Sequence, residues 1–166
     1  ALTGRGVGAQ APLTIGVVGC GQRGAELTAA LKARADVHVA ALCDVWRTRR
    51  QTAGALARAE THADWRELVA RRDLDAIVIA TPDHWHAPMT IAAMKARKDV
   101  YCEAPLALNA DAAGAVRDCA RATGRIVQIG APEPFQGQWQ TARALIRNGR
   151  LGRIVRCHAS ATYDLE

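Results

Sequence analysis

The chain has 166 residues, 49% hydrophobic and 23% charged, with a net charge of +6 and a sequence pI near 9.5. That length suits one domain with a real core and leaves little room for a second full one, and no apolar run approaches the length of a membrane span. The basic excess is mostly arginine scattered over helix-like stretches, densest at Arg47, Arg49 and Arg50, and aromatics are only 4%, which disfavours a nucleic-acid stacking platform.

The first dozen residues, 1–12, are Gly- and Ala-rich without pattern and read as a flexible lead-in. Within them Ala9-Gln10-Ala11 has the form of an A-x-A cleavage site. The five cysteines, Cys20, Cys43, Cys102, Cys119 and Cys157, form no CxxC pair and are odd in number. Most lie among apolar residues, so they read as buried thiols rather than a disulfide framework or zinc site.

From residue 13 the pattern alternates. LTIGVV (13–18) is a buried-strand pattern, and residues 23–34 carry Ala25, Leu27, Ala30 and Leu31 at helical spacing. VHVAALC (37–43) predicts a second strand and 47–59 a second helix. A short third helix follows over 64–72, with Asp64 and Glu67 at capping-box spacing. DAIVIAT (75–81) predicts a third strand, rich in β-branched residues, and a helix starts near Pro88, where Pro suits the first turn. A fourth strand (99–104) leads to a helix over 109–123 closed by Gly124. A fifth strand (125–130), a helix over 136–148 closed by Gly149 and a last strand over 152–164 complete the chain. Strand–helix alternation with short links predicts a doubly wound, parallel α/β sheet of Rossmann type, with helices on both faces.

GVVGCGQRG places Gly19, Gly21 and Gly24 between the first strand and the first helix. Gly19 permits the tight turn, Gly21 leaves room for a pyrophosphate, and Gly24 lets the helix pack close to the sheet. The helix start, including Gln22 and Arg23, then offers free N–H groups to the phosphates. Asp44 ends the second strand, about twenty residues after the last glycine, where a carboxylate accepts from an adenosine ribose and repels a 2′-phosphate. NAD is therefore expected over NADP, with Arg47 and Arg49 close enough to soften the preference. The alternative is a structural glycine turn without a ligand.

ATPDHWHAPMT (80–90) follows the third strand at the carboxyl edge of the sheet, where open α/β sheets bind ligands. Thr81, Pro82, His84 and His86 are therefore cofactor-site candidates bordering the nicotinamide ribose, against the plainer reading that His84 and Trp85 cap and pack on the next helix. His84 and His86 are two residues apart and point in different directions, so no metal is expected. Glu103-Ala104-Pro105 ends the fourth strand and adds Glu103 to the cofactor candidates.

Together, GVVGCGQRG, ALCDVW, ATPDHWHAPMTIAAMKARKDVYCEAPLAL and ALIRNGRLGRI resemble the Gfo/Idh/MocA oxidoreductase family in order and spacing, over about residues 13–164. The resemblance implies an N-terminal Rossmann domain that binds NAD or NADP and hydride transfer to or from a sugar, cyclitol or polyol. It also implies a C-terminal α+β domain that supplies most of the substrate pocket and a catalytic acid/base. On that pattern residues 13–150 form the NAD(P)-binding domain, 151–166 are the first strand of a truncated second domain, and the rest of the family's C-terminal domain is missing.

The chain departs from the family at Ala104, the position of the lysine in a Glu-Lys-Pro motif, and at Pro132-Glu133-Pro134, in a stretch that often carries arginine. Catalytic candidates are thus the Ala104 position itself, Glu103 and, more weakly, His86. The chain is expected to bind NAD while lacking turnover alone; the alternatives are a non-catalytic NAD sensor or scaffold and an anion- or nucleic-acid-binding domain. Expected partners are the dinucleotide, a separate substrate domain and a second copy pairing through the last strand; no membrane contact is expected. Reduced thiols fit the cytoplasm, while the A-x-A remnant fits export, and the family resemblance through TPDHWHA implies that such export to the periplasm would use a twin-arginine signal.

Overall fold

The computed structural model describes residues 11–131 and 137–158. The lead-in up to residue 10, the Pro132-Glu133-Pro134 departure and the segment from 159 onward lie outside the described residues. The chain divides into two units, one ending at Gly130 and one starting at Ala131.

In the first unit, β1 (Leu13–Val18), β2 (Val37–Cys43), β3 (Glu60–His62), β4 (Ala76–Ile79), β5 (Asp99–Glu103) and β6 (Val127–Gly130) form one sheet. Its order is β3-β2-β1-β4-β5-β6, and every neighbouring pair is parallel. Parallel neighbours require crossovers, supplied by α1 (Gln22–Lys32), α2 (Arg47–Ala57), α3 (Trp65–Ala70), α4 (His86–Lys95) and α5 (Ala110–Thr123). The winding reverses between β1 and β4, so a crevice opens at their carboxyl ends.

Side-chain alternation sorts the core onto two faces. Ile77, Ile79, Val100 and Cys102 join Leu68, Met89, Met94 and Val116 of α3, α4 and α5. Ile15, Val17 and Val78 join Ala57, Leu27 and Leu31 on the α1–α2 side. Register slips between Ile15 and Gly16: Ile15 pairs with Val39 and Gly16 with Ala41, leaving Ala40 as an extra residue. This bulge lets Val39 and Leu42 share one face although three residues apart.

Four expectations need correction. β3 was not foreseen; its three residues, Glu-Thr-His, are too short and polar to show an alternating pattern, and the strand exists because the β2 edge offers backbone partners. The capping box at Asp64 does not close. Asp64 Oδ1 accepts from the Arg66 amide (2.9 Å), while Glu67 turns to His62 Nδ1 (3.4 Å). The fourth helix begins at His86, two residues before Pro88, after a 3-10 turn over Asp83–Trp85.

The last correction concerns the second unit. It holds α6 (Gly137–Arg147), closed by a turn with Gly149 at φ 66°. Residues 152–158 of the expected last strand are not a strand and are exposed; 159–164 lie outside the described residues. A strand is held by its neighbours, and none pairs with 152–158 among the described residues.

Cys20, Cys43 and Cys102 are buried, as expected, whereas Cys157 is exposed. Burial is the main cause that pushes the Cys20 and Cys102 thiols up to about 11 and Cys43 to about 12; the Asp44 charge adds to the effect at Cys20. Their folded values exceed the unfolded one, so their stabilising contribution is full below about pH 9 and is lost as pH rises through 11–12. A thiol reagent applied to native protein at pH 8 is expected to label Cys157 first and to reach Cys20, Cys43 and Cys102 only after unfolding; prompt native labelling of Cys20 would contradict their burial.

Candidate cofactor site

The site is built where β1 gives way to α1. Gly19 sits at φ +95°, a conformation costly for any residue with a side chain. Its amide donates to the Cys43 carbonyl (2.8 Å), tying the turn to the end of β2. At Gly24 the constraint is distance: a Cβ there would lie 1.8 Å from the Gly19 carbonyl oxygen. The first turn of α1 can therefore press against the turn that precedes it only because residue 24 has no side chain.

Gly21 is the N-cap of α1, no side chain caps the helix, and its first turn has no acid. The leading amides of α1 thus have neither an intrahelical acceptor nor a side-chain one, and they carry the positive end of the helix dipole. A Cβ at Gly21 would meet only Arg49 Nη1, at 3.8 Å, so this side of the turn is open. An uncapped helix start over an open, side-chain-free turn fits a diphosphate.

Asp44 closes the site from β2. Its Oδ2 accepts from the Cys20 amide (2.8 Å) and its Oδ1 from the Trp46 amide (2.8 Å). One carboxylate thereby fixes the glycine turn and the start of α2 together. A carboxylate offers about four lone-pair directions, so each oxygen keeps one for a ribose hydroxyl. Arg50 Nη1 donates to the Asp44 backbone carbonyl (2.7 Å) and braces the corner from behind.

These groups border a cavity of about 590 Å³ at the switch point. Of the residues singled out in the sequence, Gly19, Gly21, Asp44, Thr81 and Pro82 line it. Sequence reasoning missed most of its other walls, since Trp46, Trp65, Arg66, Trp85 and Met89 line it too; of the two arginines expected near the ribose, Arg49 lines it and Arg47 does not. Trp65 and Trp85 lie 6.4 Å apart between ring centroids, and the Arg49 guanidinium lies 4.4 Å over the Trp46 ring. One signal was available, since three of the four tryptophans fall just after β2, β3 and β4, on the carboxyl edge.

The remaining candidates form two neighbouring clusters. Glu103 Oε1 accepts from Arg23 Nε (3.0 Å) and from the Tyr101 hydroxyl (3.1 Å), while Arg23 Nη1 also pairs with Glu26 (3.0 Å). Burial, then the Glu103 charge, raises the Tyr101 phenol above its ordinary value. Glu103 thus holds Arg23 on the first turn of α1. Gln22 turns to Glu26 (3.4 Å).

His86 is buried, with Nδ1 2.7 Å from the Pro105 carbonyl oxygen and Nε2 2.7 Å from that of Thr81. The ring lies between the loop after β4 and the loop after β5, and a ring N–H on either nitrogen donates to the carbonyl it faces. His84 is exposed, 3.9 Å from Asp83, with its ring 5.8 Å from that of Trp85. The two histidines do not converge, and no metal-binding group of three or more His, Cys, Asp or Glu occurs among the described residues. Ala104 leads by a cis peptide bond into Pro105 and brings no polar side-chain group.

Two substitutions test this geometry by their opposite signs. Gly24→Ala is expected to destabilise the fold by about 2–3 kcal/mol through overpacking against the turn. Gly114→Ala, inside α5 with nothing within 4 Å of the added carbon, is expected to stabilise it by about 0.5–1 kcal/mol. Urea unfolding reads both. Asp44→Ala is expected to cost about 1–3 kcal/mol of stability by releasing the Cys20 and Trp46 amides and to weaken dinucleotide binding as well. Unchanged stability would show that the two amide contacts do not hold the corner.

The family model described as "Oxidoreductase family, NAD-binding Rossmann fold" matches residues 13–131. Inositol 2-dehydrogenase 2 of Saccharopolyspora erythraea is 34% identical over 152 residues, covering 89% of this chain and 44% of the relative. A glycosyl hydrolase family 109 protein of Stenotrophomonas maltophilia is 31% identical, over 91% of this chain and 36% of the relative. The crystal structure of myo-inositol 2-dehydrogenase from Lactobacillus plantarum superposes with a TM-score of 0.81 at 26% identity, over 87% of this chain and 43% of that one. The chain spans under half the length of the curated relatives it matches. It belongs to the Gfo/Idh/MocA oxidoreductase family, and its parallel sheet with the glycine turn is the NAD-binding domain of that family.

Proposed function

We propose that this chain is the cofactor-holding part of an oxidoreductase that moves hydride between a nicotinamide dinucleotide and a sugar, cyclitol or polyol. The single observation that carries the reading is the uncapped start of α1 over a turn whose Gly24 leaves no room for a Cβ, with Asp44 fixing that turn. NAD is the favoured cofactor, because the Asp44 carboxylate accepts ribose hydroxyls and opposes a 2′-phosphate. The relatives named as inositol dehydrogenases support the cyclitol class, and the one named as a glycosyl hydrolase supports keeping sugars in it.

When bound, the dinucleotide supplies the hydride acceptor or donor. The chain's own residues supply position. The glycine turn and α1 hold the diphosphate, Asp44 holds the ribose, and the loops joined by His86 stand beside the same cleft. Proton transfer to or from the reacting oxygen needs a free group, and none of the three catalytic candidates offers one. Ala104 stands where the family pattern has lysine, Glu103 is committed to Arg23 and Tyr101, and His86 is buried with each ring nitrogen facing a backbone carbonyl. Losing a general acid–base commonly costs 10²- to 10⁴-fold, about 3–5 kcal/mol of barrier.

Ala104 also favours a second reading, an NAD-binding sensor without turnover. Calorimetric titration with NAD tests what both readings share; absence of heat together with absence of a thermal shift would overturn them. Reduction of NAD in the presence of myo-inositol separates them. The present chain is expected to stay at background, and so is the Ala104→Lys variant alone. Clear turnover in that variant would place a complete substrate pocket within these residues.

A further inference from the structure

A second cavity opens at the other end of the sheet. Its volume is about 840 Å³, and it lies where β1, β4 and β5 begin and α3 and α4 end, sharing no residue with the cofactor cleft. Six cations line it, Arg71, Arg72, Lys95, Arg97, Lys98 and Arg125, against two acids, Asp75 and Asp99. Both acids are occupied. Asp75 Oδ2 accepts from the Thr14 amide (2.8 Å), and Asp99 Oδ1 accepts from the Ile126 amide (3.0 Å) and lies 3.7 Å from Arg125. Arg71 is paired with Asp73 (2.7 Å) and Glu60, and the buried Lys98 donates to the Leu74 carbonyl (2.6 Å). Arg72, Lys95 and Arg97 are exposed and have no ion pair or side-chain hydrogen bond among the described residues.

The carbonyl ends of α3 and α4 each favour a nearby cation, which does not explain three without a counter-charge in one cavity. Arg97 carries a backbone cost as well. Its φ is 64°, in the left-handed region, at the turn after α4 where glycine is the usual residue. Residues 1–10, which lead towards Leu13 on the cavity wall, contain no Asp or Glu and so bring no counter-charge. We propose that this cavity is a second anion site, and that its ligand is a small oligophosphate with three or more negative charges. The guanidinium forks of Arg72 and Arg97 can each take two phosphate oxygens, and Lys95 adds a point charge. The volume is that of a small-molecule pocket. No aromatic residue lines it, so it lacks the stacking surface that holds single-stranded nucleic acid.

The test is calorimetric titration of the full chain with sodium triphosphate, in excess NAD to keep the cofactor cleft filled. One triphosphate is expected to bind per chain, about 10-fold or more tightly than orthophosphate and more weakly as salt rises. Arg72→Ala, Lys95→Ala and Arg97→Gly are each expected to weaken it about 3- to 10-fold. Arg97→Gly removes the charge while suiting the left-handed backbone, so its urea midpoint is expected to hold or rise, and lost binding there is not lost folding. Arg121→Ala removes an equal charge from the exposed face of α5 and is expected to change binding less than about 2-fold. Absence of heat with triphosphate would overturn the proposal. So would equal weakening by Arg121→Ala, which marks attraction to net charge alone, or binding seen only without NAD, which puts the phosphate in the cofactor cleft. A single-stranded oligonucleotide that binds more tightly than triphosphate and is lost in the same variants would assign the cavity to nucleic acid instead. The three cavity variants decide the matter whether or not NAD binds, so this inference and the dinucleotide reading fail separately.

Discussion

The approach of Gly24 to the Gly19 carbonyl is the constraint on which the rest of the molecule depends. It sets how near α1 starts to β1, and so where the helix presents its unpartnered amides. A side chain at residue 24 would meet that carbonyl, so the helix start could not keep its present place. Gly24 and Asp44 therefore serve fold stability and site geometry at once, the first by having no side chain and the second by its two amide contacts.

Asp44 extends that logic across the sheet. Its two oxygens hold amides from two elements, so the end of β2, the glycine turn and the start of α2 form one corner. The opposite rim is joined by other means. His86 bridges the loops after β4 and β5 through two carbonyls, and Glu103 clasps Arg23 and Tyr101. Every polar side chain of the Glu-Ala-Pro region is therefore a brace. The glycine-turn side of the cleft keeps unpartnered helix amides, whereas Glu103 on the other side is held by Arg23 and Tyr101.

Much of this was legible before any coordinates. β1 and β2 match their sequence limits, because apolar runs bounded by Gly and Asp leave one reading. Gly19 and Gly24 were legible because a positive φ and a close backbone approach each require glycine. Other features were not, for physical reasons. β3 is held by the β2 edge rather than by its own pattern. The Asp64 cap depends on which amide lies nearest, a difference of one residue. The choice of Arg49 over Arg47 as a cavity residue depends on a rotation of 200° around α2, fixed by the Trp46 ring on which Arg49 lies. Residues 152–158 belong to a pattern that alternates like a strand, but alternation proposes a strand and only a neighbour makes one, and none pairs with them among the described residues.

Trp46, Trp65 and Trp85 all face the same cavity, and Trp139 belongs to the other unit. The first unit consequently carries every one of its indoles within reach of whatever enters the crevice. Their ultraviolet emission is an intrinsic gauge of occupancy, needing no dye or label. Its wavelength follows how wet the indoles are, and its intensity follows energy transfer to any bound chromophore that absorbs in the same range.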